Sequence, residues 1–138
     1  MVGLLLDIYM VQISKLNFPN NKKLLKKTKE DPNILAVIVF GSYIKGEDYR
    51  DIDICLVLHS NVSKSRILLD YGSNFSTNLD FSVYQKLPLY IKHRVQKEGI
   101  IILNKDYDEL FDIFLKTIKD FNLFKPHYDT FLEAVKNG

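Results

Sequence analysis

The chain has 138 residues, 46% hydrophobic and 26% charged, so it is long enough to bury a core and is neither disordered nor fibrous in composition. Its 19 Lys+Arg and 17 Asp+Glu leave a formal net charge of +2, which argues against a strong sequence-independent grip on nucleic acid. The one cysteine, Cys55, excludes an intramolecular disulfide and every multi-cysteine zinc pattern and suits a reducing, cytoplasmic setting, and no apolar run has the length of a membrane span.

In chain order, residues 1–16 read as a short first helix with Leu4, Leu5, Ile8 and Val11 on one side. They lack a basic leader and a small-residue cleavage site, and Asp7 lies inside them, so no signal peptide is expected. A break at residues 17–21 precedes a basic helix over 22–29 whose lysines form a solvated face. After the turn Asp31-Pro32-Asn33 comes ILAVIVF (34–40), a fully buried strand by its length and β-branched content. Gly41-Ser42 ends it, residues 43–50 form a polar turn, and DIDICLVL (51–58) is the second strand. A helix is expected over 60–71, with a loop at Gly72-Ser73. NLDFSVY (78–84) alternates as a third strand. Residues 88–98 fit a helix opened by Pro88 and closed by Gly99, and 100–103 a short fourth strand. Residues 106–124 carry Leu110, Phe111, Phe114, Leu115, Ile118 and Phe121 at helical spacing; Pro126 is expected to interrupt that helix before a last segment with Tyr128, Phe131, Leu132 and Val135. The aromatics of this region are expected to be mostly core. The class is α/β (α+β), a mixed sheet of about four strands flanked by helices. The chain reads as one domain (1–138), with an N-terminal helical segment (1–30), a catalytic sheet (34–104) and C-terminal helices (106–137).

The chemistry is concentrated in FGSYIKGEDYRDIDICLVL (40–58). On a strand, residues i and i+2 face the same way about 6.5–7 Å apart, so Asp51 and Asp53 share one face while Ile52, Ile54 and Leu56 take the other. Neighbouring carboxylates repel one another and hold protons more tightly, a penalty that a divalent cation removes. Hard oxygen ligands suit Mg²⁺ bound by one or two carboxylates and substrate phosphates. On the third strand Asp80 lies opposite the Leu79, Phe81, Val83 face, and it can join the pair if the two strands are neighbours. Three carboxylates can hold two metal ions about 3.5–4 Å apart, the arrangement for nucleotidyl transfer. Gly41 lets backbone approach a phosphate, the Ser42 hydroxyl can donate to one, and Lys45 is placed to add positive charge. Alone, Gly-Ser is a turn, Asp-x-Asp a strand cap and Asp80 a surface acid; their order is what points to a site.

That order resembles the signature of the DNA polymerase β-like nucleotidyltransferase superfamily: Gly41-Ser42, a spacer, Asp51-x-Asp53, and a later-strand carboxylate, Asp80. More narrowly the chain resembles the prokaryotic minimal nucleotidyltransferases (MNT), through the helix-then-strand segment LPLYIKHRVQKEGIIILNKD (87–106) and the tail around Lys119-Asp120-Phe121. The spacer, residues 43–50, is shorter than usual in the family, so its helix should be clipped and Lys45 displaced before the aspartates are. The resemblance implies the polymerase β-like fold, Asp51, Asp53 and Asp80 as catalytic residues and ligands of two Mg²⁺ ions, and Gly41 and Ser42 against the phosphates of ATP. It also implies an antitoxin that transfers AMP to a tyrosine hydroxyl of a separate HEPN-domain toxin, in a hetero-oligomer without membrane or nucleic acid.

Two other readings compete. An aminoglycoside-type enzyme with a small-molecule acceptor needs extra structure, and only about 35 residues follow Leu103. A non-catalytic antitoxin that acts by occlusion fits poorly with three aspartates in place. His59, His93 and His127 share no ligand spacing and read as structural or surface residues. Cys55 reads as a small buried hydrophobe, and Tyr43, Tyr49 and Tyr84 as packing residues that could alternatively stack on a base.

Overall fold

The apolar run 34–40 forms an inner strand, and the rest of the sheet is built outward from it. The computed structural model describes residues 16–48, 50–59, 65–75 and 78–137; the expected first helix, Tyr49 and the start of the helix expected at 60 lie outside them. The elements are α1 (Asn21–Glu30), β1 (Ile34–Phe40), α2 (Ser42–Lys45), β2 (Ile52–Leu58), α3 (Ser65–Asn74), β3 (Leu79–Val83), a 3₁₀ turn (Tyr84–Lys86), α4 (Leu89–Glu98), β4 (Ile100–Asn104) and α5 (Tyr107–Asn137). Sheet order is β3-β2-β1-β4. β1 pairs antiparallel with β2 and with β4, whereas β2 and β3 run parallel. A parallel pair needs a crossover, and α3 supplies it.

Both sheet faces are covered, which is why β1 is apolar throughout and β2 is apolar but for Asp53. Ile34, Val37, Val39, Ile52, Ile54, Leu56 and Leu58 face Leu24 of α1 and Ile67 and Tyr71 of α3. Leu35, Ala36, Ile38, Cys55 and Val57 face the other side, against Val95 of α4 and Leu110 of α5. A register shift between Ile34 and Ala36 lets both Leu35 and Ala36 turn toward α4 and α5. Each fully buried Leu or Ile here contributes about 1.5–3 kcal/mol of transfer free energy. Tyr84 is buried on the second face and its hydroxyl bonds Thr117 of α5, so it packs and is not presented to a ligand. No helix among the described residues is long and apolar enough to cross a membrane.

The helices depart from expectation in three places. Gly72-Ser73 is not a loop but part of the last turn of α3. Tyr71 and Phe75 on either side are buried, their rings 6.5 Å apart and stacked, and this packing carries the helix past the glycine. Pro126 does not interrupt α5, which runs unbroken through it. An interior proline costs about 3 kcal/mol. Ring contacts on both sides hold the helix in phase: Phe121 stacks on His93 at 3.7 Å, and Tyr128 on Tyr90 at 6.0 Å. The aromatics of α5 are not mostly core either. Leu110 and Thr117 are buried, but Phe111, Phe131 and Val135 are each more than 60% exposed. Tyr90, in the first turn of α4, meets Tyr128, so the last turns of α5 extend past the start of that helix.

Candidate active site

The carboxylates collect at one end of the sheet because of strand register. Asp53 of β2 lies opposite Phe40, the last residue of β1, and opposite Asp80 of β3. Ile52 and Ile54 take the α1 and α3 side, as do Leu79 and Phe81 on β3. Alternation therefore turns Asp53 and Asp80 to the same side as Cys55 and Ser82. The parallel pairing is what makes these two acids direct neighbours.

Asp53 is half-buried, whereas Asp51 and Asp80 are exposed. The Asp53 carboxyl is held above the usual aspartate range, first by desolvation, then by the charges of Asp80 and Asp51, then by a hydrogen bond with the Asp80 side chain. Every one of these influences acts in the same direction, so Asp53 sits in an uncompensated patch of negative charge. Asp51 precedes β2 and acts on Asp53 through its charge. As the side chains stand, no three His, Cys, Asp or Glu groups among the described residues converge as a metal site. The donor set is nonetheless all oxygen and anionic, the chemistry that fits a hard divalent cation.

Gly41 forms the floor beneath Asp53. Its φ of 82° lies where L side chains are strained, and a β-carbon there would collide with Asp53 Oδ2. Only glycine both turns the chain out of β1 and leaves room for that carboxylate. Ser42 opens the single-turn helix α2, closed by Gly46 at φ 71°. The clipped helix expected from the short spacer is therefore present. Tyr43 and Ile44 anchor it on the α1 side, Tyr43 edge-on to Phe18 at 6.0 Å. Lys45, at its last position, pairs with Glu98 of α4, Nζ to Oε2 3.4 Å.

The other candidates resolve simply. Cys55 is fully buried and its thiol is pushed up to about 12 by desolvation, so it is inert. His59 pairs with Glu109 at 2.9 Å, His93 stacks on Phe121, and His127 is exposed. A surface cleft of about 510 Å³, lined by Lys23, Lys26, Lys27 and Asp70 among others, lies beside residues 31–33 that precede β1. That is the end of the sheet away from the aspartates, about 20 Å along the strand, so the basic face of α1 does not serve the carboxylates. Sequence reasoning missed Glu98; the Lys97-Glu98-Gly99 turn was visible, but its approach to Lys45 depends on tertiary packing.

A four-stranded mixed sheet that presents paired carboxylates beside a Gly-Ser turn is the architecture of a nucleotidyl-transfer enzyme. The family model described as "Polymerase beta, Nucleotidyltransferase" matches residues 22–108, and the chain belongs to that family. A candidate protein adenylyltransferase of Methanocaldococcus jannaschii is 33% identical over 85 residues, 60% of this chain and 66% of that protein, just under two thirds of its length. The fold is shared with a chain of a toxin–antitoxin crystal structure with AMP-PNP (TM-score 0.64, 19% identity, 86% of this chain and 99% of that one). It is shared equally with a chain from tri-AMPylated Shewanella oneidensis HEPN toxin in complex with MNT antitoxin (TM-score 0.62, 20% identity, 85% and 96% covered).

Proposed function

We propose that the protein transfers AMP from ATP to a tyrosine hydroxyl of a partner HEPN-domain protein and thereby acts as its antitoxin. The observation that carries this reading is the lateral pairing of Asp53 with Asp80 directly above Gly41. The resemblances support the acceptor class: a relative named for protein adenylylation, and neighbours of the same fold described with AMP-PNP or with an AMPylated HEPN toxin.

In this reading Gly41 and Ser42 bind phosphate oxygens, and Lys45 closes the short helix that carries them. Asp51, Asp53 and Asp80 are the ligands for two Mg²⁺ ions, which when bound would neutralise phosphate charge and ease ionisation of the acceptor. Asp80, exposed at the sheet edge, faces the incoming hydroxyl and takes its proton. The hydroxyl oxygen bonds to the α-phosphorus of ATP, the bond to the β-phosphate oxygen breaks, and pyrophosphate leaves. Asp53 keeps its carboxylate oriented because Gly41, Phe40 and Asp80 surround it.

The test is incubation with α-labelled ATP, Mg²⁺ and a HEPN-domain protein encoded beside this chain. Label should appear on a tyrosine of that protein and vanish with Asp53→Ala at unchanged fold. Absence of label from the wild type under every divalent cation would overturn the proposal. Neutralisation of the toxin by Asp53→Ala would instead favour occlusion.

A further inference from the structure

The placement of α2 raises a physical problem. One helical turn has almost no stability of its own. Here it is bounded by two glycines at positive φ, Gly41 and Gly46, so both its ends are conformationally permissive. Tertiary contacts must therefore hold the Gly41–Ser42 turn at a fixed height above Asp53. On one side Tyr43 and Ile44 pack into the core. On the other, Lys45 reaches Glu98.

Glu98 is well suited to be an anchor. It ends α4, and the next residue is clamped: Gly99 donates its N–H to the Val95 carbonyl at 2.8 Å, and a β-carbon on Gly99 would collide with Ile38 Cγ2 and Val95 O. Ile100 then pairs with Val39, two residues before Gly41. The Glu98 carboxylate is thus fixed to the same strand that ends in the nucleotide turn, and Arg94 approaches it from the preceding turn at 3.9 Å. Both Lys45 and Glu98 side chains are about two-thirds withdrawn from solvent, at 35% and 40% exposure.

We propose that Glu98 is a positioning residue for nucleotide binding: it holds Lys45 as a strut that sets α2, and with it the Gly41–Ser42 turn, at working distance from Asp53. This deepens the reading of Gly41–Ser42 as the phosphate turn and rests on it. The Lys45 ammonium is engaged by a carboxylate on α4, so its contribution to the site is made through position and not through contact with phosphate.

A charge-swap series distinguishes the two roles. Lys45→Glu and Glu98→Lys are each expected to weaken binding of a non-hydrolysable ATP analogue about two- to fivefold, the worth of a partly exposed ion pair, and to raise KM for ATP with kcat little changed. The reversed pair, carrying both substitutions, should restore affinity to within about twofold of wild type. A direct phosphate contact predicts the opposite: Glu98→Lys without loss, and no rescue by the reversal; that result overturns the strut. Hydrogen exchange on the ligand-free protein supplies an independent readout. Glu98→Gln should accelerate exchange of the Ile44–Gly46 amides about two- to fivefold, and unchanged exchange would also overturn the proposal. If the wild type binds no analogue, the phosphate reading of Gly41–Ser42 fails, while the exchange comparison still decides whether Glu98 holds α2.

Discussion

The Asp53 carboxylate occupies the space that a side chain at position 41 would fill, so Gly41 and Asp53 form one steric unit at the end of the sheet. The glycine serves two purposes there. It adopts a φ of 82° that turns the chain into α2, and it leaves the carboxylate a seat.

Gly41→Ala is therefore expected to fail on both counts. A residue with a β-carbon pays about 1–3 kcal/mol for that combination of positive φ and extended ψ, and displaces Asp53 as well. Denaturant unfolding should show a loss of about 1–3 kcal/mol, and nucleotidyl transfer should fall by about 100-fold, because small misplacements of reacting groups cost that much. Gly46→Ala shares the positive φ but meets nothing within 4 Å, so it should lose stability only.

The crowding of Asp53 has a pH signature. Its pKa is raised in the folded chain, so the folded state holds the proton more tightly than the unfolded one, and stability falls as pH rises through the raised value. Asp53→Asn should accordingly stabilise the protein at neutral pH. The site is half-exposed, so the gain is a few tenths of a kcal/mol up to about 1 kcal/mol after solvent screening. It should vanish below the ordinary aspartate value of about 4, where both states are protonated. Thermal melts of the two proteins at pH 3.5 and 7.5 check this.

Divalent cations should reverse the same penalty. At ten times its dissociation constant, Mg²⁺ is expected to stabilise the wild type by about 1.4 kcal/mol. The gain should be lost in Asp53→Asn and in Asp80→Asn, since each removes one member of the carboxylate pair. Differential scanning fluorimetry with and without Mg²⁺ reads this without any partner or nucleotide.

The long helix α5 should divide energetically at Tyr128. Leu110 is buried against the sheet, and Leu110→Ala should cost about 2–5 kcal/mol. Phe131 and Val135 are more than 60% exposed, and serine at either should change stability by less than about 0.5 kcal/mol. Urea unfolding of the three variants compares them directly.

Some of this was legible in the residues. The run 34–40 declared a buried strand because seven apolar, mostly β-branched residues end abruptly at Gly-Ser, and the strand's observed bounds coincide with that run. Period-2 alternation placed Ile52, Ile54 and Leu56 opposite Asp53, and it put Asp80 on the matching face of β3. What periodicity does not carry is which strands are neighbours or what a helix meets along its length. Gly72 looked like a break, but Tyr71 and Phe75 pack around it. Pro126 looked like a stop, but contacts on both sides outweigh its local cost.

The sequence by itself determined the chemistry available: a glycine turn, an Asp-x-Asp strand start and a later aspartate of the right parity, because face alternation is a local property of extended chain. Only the tertiary structure decided how these groups meet. Parallel pairing of β2 with β3 set Asp53 beside Asp80, the start of β2 at Ile52 left Asp51 outside that pair, and Gly99 packed under Ile38 brought Glu98 within reach of Lys45. Those relationships depend on strand order and close approach between elements distant in the chain, which no local pattern encodes.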